Sequence, residues 1–277
     1  MNHEPLAINY SLLTFHYSLM YTTIETEQHY HIATIWLNRP EVRNALNDTM
    51  ISELIQAFEI LGADDTVRVI TLRGRGKVFC AGADLKWMKA TSTSGYEESL
   101  EENRQLARCF QAVYNTPKPT IAVVHGAAMG GANGLLAACD FSYAADDTLF
   151  AFSEVRLGLV PATIAPYIVK RIGETKAKEL ILTGRQFHAK EAAQAGLINQ
   201  VLQEMELESK VAELIQELLQ GGPKSIAASK QLLHYIAATK LETSIPYTVE
   251  AIAKARSSAE GQEGMQAFFE KRKPSWI

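Results

Sequence analysis

Apolar and polar positions along this chain repeat with two different periods. The runs "HIATIWL" (31–37) and "TVRVITLRG" (66–74) are short and rich in β-branched residues, as strands are. Between them, "NDTMISELIQAFEILGAD" (47–64) sets its apolar residues at helical spacing behind Asn47 and Asp48, which suit a helix start. This is a β-α-β unit. A looser polar stretch around "TSTSGYEES" leads into the helix "LEENRQLARCFQAVYN" (100–115), which the prolines of "TPKP" stop before the buried strand "TIAVVHG" (120–126). Repeated units of this kind imply a parallel sheet with right-handed crossovers.

From Pro161 onward the pattern turns helical, through "PYIVKRIG", "TKAKELILTG", "HAKEAAQAG", "ELESKVAELIQELLQ", "PKSIAASKQLLHYIAA" and "EGQEGMQAFFEKR". One short strand, "GLINQVL", interrupts it. The expected organisation is an N-terminal extension over 1–20, an α/β core over 21–188 and a helical C-terminal region over 189–277. The domain-like text starts near Tyr21, which makes Met20 an alternative first residue. No internal repeat or low-complexity segment is visible.

Composition narrows the partners. A chain of 277 residues can bury a large core, and its net charge of −4 without a basic stripe argues against a nucleic-acid face. No apolar run reaches the roughly 18–20 residues of a membrane span, so no membrane partner is expected. Cys80, Cys109 and Cys139 lie too far apart in sequence for a CxxC metal pair or a disulfide framework. No metal is therefore expected, and the compartment should be reducing and cytoplasmic.

Three segments carry candidate chemistry. "FCAGADLKWM" (79–88) follows a strand and opens an apolar helix; "HGAAMGGANGLLAACD" (125–140) does the same with adjacent glycines; "FAFSEVRLGLVPATIAPY" (150–167) holds one carboxylate, Glu154, in an apolar run. A strand that ends at glycines and re-enters as a helix leaves its first N–H groups unpaired, a setting that favours negative charge. Two such turns can serve one oxyanion, with a desolvated carboxylate beside it as acid or base. Each segment also has a plainer reading. Gly130 and Gly131 permit close packing of helix on strand, Asp84 caps a turn, and Glu154 is a core carboxylate paired with Arg156 or Lys170. His125, at a strand end, reads as a hydrogen-bonded core residue.

Taken together and in order, "NRPEVRNALN", "FCAGADL", "GAAMGGANGLLAACD", "EVRLGLVP" and "EGMQAFFEKRKPSW" resemble the enoyl-CoA hydratase/isomerase, or crotonase, superfamily from about Tyr21 to the C-terminus. The resemblance implies an α/β spiral of ββα units with a helical C-terminal trimerisation region, assembled as a homotrimer or dimer of trimers. It implies an acyl-CoA thioester as ligand and no cofactor, coenzyme A being part of the substrate. Carried over by motif, the oxyanion donors are the N–H groups of Ala83 and Gly131, and Glu154 is the catalytic carboxylate. Arg43, Ala45 and Leu46 of "RNAL", with Ala81, Gly82, Asp84 and Leu85 of the next loop, fall where the family holds adenine and pantetheine. Gly130 belongs to the second turn, and Lys271 resembles a basic residue that meets the CoA phosphate, often across a subunit boundary, an ordinary solvated lysine being its plainer reading.

The chain departs from the family at Gly134, where typical hydratases carry a first glutamate. Only Glu154 remains. A single carboxylate favours a double-bond isomerase, whereas the wording around all three segments is most similar to bacterial methylglutaconyl-CoA hydratases of the leucine-degradation type. The absent side chain at Gly134 is expected to leave room for a methyl branch, a distal carboxylate or a water held near Asn133. Lys86 offers a cation for such a carboxylate, or simply faces solvent. Hydration of a branched enoyl-CoA is the leading expectation; isomerisation and non-catalytic acyl-CoA binding by a trimer are the alternatives.

Overall fold

The computed structural model describes residues 21–91, 93 and 95–277. The expected extension over 1–20 lies outside them. Strands β1 (Ile24–His29) and β2 (Ile32–Leu37) form an antiparallel hairpin whose turn places Tyr30 at φ +52°. Helix α1 (Asp48–Ala63) starts where the pattern predicts: the Asn47 side chain accepts the Met50 N–H at 2.9 Å, supplying one acceptor the first turn lacks. Its apolar stripe, including Met50, Leu54, Phe58 and Leu61, is buried.

Strand β3 (Val69–Gly74) returns parallel to β2, the short helix α2 (Leu85–Thr91) follows the "AGAD" loop, and α3 (Tyr96–Asn115) leads to β4 (Thr120–Val124). The next strands come in pairs that split between two sheets. After β4 comes β5 (Ala127–Met129) and helix α4 (Gly131–Ala138); β6 (Phe141–Ala145) is followed in the same way by β7 (Leu149–Ala151). Then come α5 (Ala165–Thr183), β8 (Gln186–His188), α6 (Ala189–Ala195) and β9 (Gln200–Leu202). The large sheet has the order β1-β2-β3-β4-β6-β9, parallel after the hairpin, and the small sheet has the order β5-β7-β8.

The large sheet is covered on both faces, which is why β4 is buried along its whole length. One cluster unites α1, α3, α4 and α5 with residues such as Ile35, Leu72 and Ala122; the other sets Leu207, Val211 and Ile215 of α7 (Glu204–Gln220) against Val69, Ile121 and Tyr143. Helices α8 (Pro223–Ile236), α9 (Leu241–Ser257) and α10 (Ala259–Glu270) pack on one another and leave Leu241, Ile245, Val249 and Ile252 of α9 exposed.

The α/β fold agrees with the sequence pattern, with local differences. "PYIVKRIG" and "TKAKELILTG" join into the single element α5, broken at Gly173 where φ is +73°. Helix α9 has no counterpart in the pattern, because Pro246 inside it reads as a stop. Cys80, Cys109 and Cys139 are free buried thiols, each pushed up to about 12 by desolvation.

Candidate active site

The two glycine-rich turns lie against each other. The chain of "AGAD" runs along β5: the Cys80 N–H donates to Ala127 O at 3.1 Å and the Met129 N–H to Cys80 O at 3.1 Å. Gly82, at φ +90°, then passes so close that a Cβ placed on it would lie 2.8 Å from Met129 O and 3.8 Å from Gly130 N. Only glycine tolerates both the left-handed backbone and the contact. On the other flank the "RNAL" segment is laced to the same loop, Ala81 N–H to Arg43 O at 2.9 Å, Leu46 N–H to Gly82 O at 2.7 Å and Asp84 N–H to Leu46 O at 2.8 Å. Ala83 and Gly131, each following one of these glycines, are thereby brought together. Among the described residues neither of their N–H groups donates to an acceptor.

Glu154 completes the cluster. Strand β7 carries it there, since the Gly130 N–H donates to Ala151 O at 2.9 Å and the chain turns at Ser153. Its Oε1 would stand 3.1 Å from a Cβ on Gly130, which has φ +49°. The plainer reading, a pairing with Arg156 or Lys170, finds no support: Oε2 is buried without a hydrogen-bond partner among the described residues. Desolvation pushes the carboxyl above its usual range, opposed by a backbone hydrogen bond. The flanking apolar run does not enclose it wholly. Phe150 and Phe152 are buried against Phe187, but Leu157, Leu159 and Val160 face outward.

The room expected at Gly134 does not exist. A Cβ there would overlap Ile164 Cγ2 and come within 2.8 Å of Phe110 Cε1 and 2.9 Å of Phe110 Cζ. Residues absent from the local motif, Phe110 from α3 and Ile164 from the start of α5, fill the space that the missing side chain vacates. Asn133 faces the strands instead, its Nδ2 donating to Ala151 O at 2.9 Å and Ala128 O at 3.2 Å.

Asp84 is committed elsewhere. Its Oδ1 accepts the Lys86 N–H at 2.8 Å and the Trp87 N–H at 3.2 Å, capping α2, while Oδ2 pairs with Arg39 at 2.7 Å. Burial raises this carboxyl, but the hydrogen bonds from Arg39, Trp87 and Lys86 outweigh it and hold the group below its ordinary value. Capping thus accounts for one oxygen and the Arg39 pair for the other. Arg39 also donates to Ala45 O at 2.6 Å, and buried Asn44 donates to Arg75 O, Val78 O and Phe79 O at 2.8, 2.9 and 3.2 Å. Neither Arg39 nor Asn44 stood out in the sequence. Apart from Ala45, their side-chain partners named here lie 31 to 45 positions away, beyond any local pattern.

Arg43, Leu85 and Lys86 are exposed around the same cluster, whereas Ala45 and Leu46 are buried beneath it. Lys271 is not gathered in. It caps α10 at φ +54°, and the contacts of α10 run to α8 and α9. His125 sits apart with a ring nitrogen 2.9 Å from Gly76 O, a structural hydrogen bond.

Comparison with known proteins matches residues 27–277 to a family model described as enoyl-CoA hydratase/isomerase. A putative enoyl-CoA hydratase of Thermus thermophilus is 38% identical over 244 residues, 88% of this chain and 96% of the relative. A crotonyl-CoA hydratase of Syntrophomonas wolfei is 31% identical over 261 residues, 94% of this chain and 99% of its own. The crystal structure of an enoyl-CoA hydratase from Shewanella pealeana superposes with a TM-score of 0.90 at 36% identity, covering 93% of this chain and 97% of that one. The chain therefore belongs to the enoyl-CoA hydratase/isomerase, or crotonase, superfamily.

Proposed function

We propose that the protein hydrates a 2-enoyl-CoA, holding the thioester oxygen between the N–H groups of Ala83 and Gly131 while Glu154 handles the proton. The observation that carries this reading is the meeting of two unpaired backbone N–H groups with a desolvated carboxyl whose Oε2 has no hydrogen-bond partner. Donors of this kind are worth about 2.7–4 kcal/mol each to a developing enolate oxygen. With the carboxyl neutral, one carboxyl oxygen gives its proton to the α-carbon while the other takes a proton from the water whose hydroxyl adds at the β-carbon. Glu154 ends as it began, so a second glutamate is not required. Arg43, Ala45, Leu46, Ala81, Leu85 and Lys86 flank the CoA side, and no cofactor beyond the CoA of the substrate enters. The outward apolar stripe of α9 supports assembly as a homotrimer or dimer of trimers.

The lone carboxylate favours one second reading. As a base, ionised Glu154 takes the α-proton of a 3-enoyl-CoA and returns it to the γ-carbon, shifting the double bond. The two readings differ in pH dependence. Hydration through a neutral carboxyl falls as pH rises through the elevated pKa of Glu154, whereas isomerisation through the carboxylate rises there.

3-Methylglutaconyl-CoA remains the branched candidate on the resemblance of the motifs. It loses the support of an open space at Gly134. The test follows the conjugated thioester absorbance with crotonyl-CoA, 3-methylglutaconyl-CoA and a 3-enoyl-CoA. Gly131→Pro, at a first helical position where proline is tolerated, deletes one N–H and should cut turnover by roughly 100-fold or more. No turnover of any substrate, or full activity in folded Gly131→Pro, overturns the reading.

A further inference from the structure

We propose that Phe110, braced by Ile164, is the end wall of the acyl site and restricts this enzyme to short acyl chains. The inference rests on the acyl-CoA reading above. Helix α4 runs past the site with Gly131, Gly134 and Ala138 on one face, three and then four residues apart. Along this face Leu46 Cδ1 lies 3.2 Å from a Cβ built on Gly131, and Phe110 and Ile164 are the side chains that block it at Gly134. Phe110 Cζ stands 4.0 Å from a Cβ built on Gly131 and 2.9 Å from one built on Gly134, and Ile164 Cγ2 would overlap the Gly134 Cβ as well.

Both wall residues are fully enclosed, Phe110 at 0% and Ile164 at 2% exposure. Behind Phe110 the ring of Tyr167 meets it edge-on, with centroids 6.1 Å apart, and Tyr114 meets Tyr167 at 5.4 Å. These tyrosines, with Ala137 and Ala138 from the far end of α4, line a cavity of about 540 Å³. At about 1.5 Å per helical residue, that end lies roughly 10 Å beyond Gly131. This cavity, which Asp140, Arg171 and Lys230 also line, lies on the far side of Tyr167, and Phe110 stands between Tyr167 and the glycines of α4. The chain length accepted is thus set by a residue of α3, outside all three chemistry-bearing segments.

The experiment measures kcat/KM for crotonyl-CoA and 2-decenoyl-CoA with the natural protein, Phe110→Leu and Ile164→Ala, thermal unfolding serving as the folding control. The natural protein should favour the short substrate by roughly 100-fold, and either variant should narrow that ratio by about tenfold or more. Ser229→Trp, which fills the cavity from its rim, should leave crotonyl-CoA turnover unchanged alone and cancel the gain when combined with Phe110→Leu. Comparable turnover of both lengths by the natural protein overturns the wall without any variant, as does an unchanged ratio in a folded variant or a gain that Ser229→Trp leaves intact. No turnover at any length overturns the functional reading and this inference with it.

Discussion

At Gly82–Ala83 the backbone is fastened by side chains from outside: Asp84 caps α2 and pairs with Arg39, and Arg39 in turn holds Ala45 O. At Gly130–Gly131 almost nothing polar is used beyond strand hydrogen bonds and the Asn133 amide, and the turn is held by what packs against bare glycines, Leu46, Phe110 and Glu154. Both turns leave an N–H without an acceptor. The first achieves this with charge and is sensitive to pH; the second achieves it by excluding atoms and is sensitive to volume. Leu85, 80% exposed directly after the first turn, shows how little packing that side depends on.

The packed turn is most vulnerable beside it, at Gly134. Gly134→Glu rebuilds the carboxylate found in typical hydratases, but here it must enter the volume of Ile164 and Phe110. Overpacking and an unpaired buried charge together should cost roughly 3–5 kcal/mol. Urea denaturation monitored by circular dichroism measures the loss. A variant as stable as the natural protein, and more active as a hydratase, would show that the wall yields and that the turn is not held by exclusion.

On the laced turn, Asp84→Ala removes a helix cap and half-strips Arg39, which together should cost about 2–3 kcal/mol near neutral pH. The sign with pH is fixed by the direction of the shift. The folded carboxyl is held below its ordinary 3.8, so its contribution is present above 3.8 and disappears as pH falls through the lower folded value. The gap between natural protein and variant should therefore close on acidification. A gap that stays constant down to low pH would mean that Asp84 acts through packing and not through its charge.

The contrast between the turns also accounts for what the sequence could convey. Helix α1 and its Asn47 cap were readable because cap and partner are three residues apart, and β3 and β4 because buried central strands are nearly continuous apolar runs. The turns themselves, and Glu154, were readable because glycines after a strand and a lone acid in an apolar run are local signals. The three-residue strands β5, β7 and β8 were not, being too short to show alternation, and Phe110 lies 24 residues upstream of the glycine it packs on, looking like any core residue of an amphipathic helix. Reading Gly134 as open space failed for that reason: a missing side chain says nothing of what other elements put in its place.

Glu154, which sits against the packed turn, should titrate in the opposite sense to Asp84 and with less consequence for stability. Its folded carboxyl is raised above 4.5 by desolvation, so the neutral form supports the fold fully below 4.5 and that support is lost as pH rises through the folded value. Glu154→Gln keeps the neutral shape at every pH. The variant should match the natural protein below 4.5 and become more stable above it, by no more than about 1 kcal/mol. Two thermal unfolding series across the acid range, one per variant, then give gaps that open in the same pH direction but with opposite sign, Asp84→Ala falling below the natural protein and Glu154→Gln rising above it. Glu154→Gln less stable than the natural protein at neutral pH would mean that Glu154 is ion-paired after all, and the chemistry assigned to a desolvated carboxyl would lose its footing.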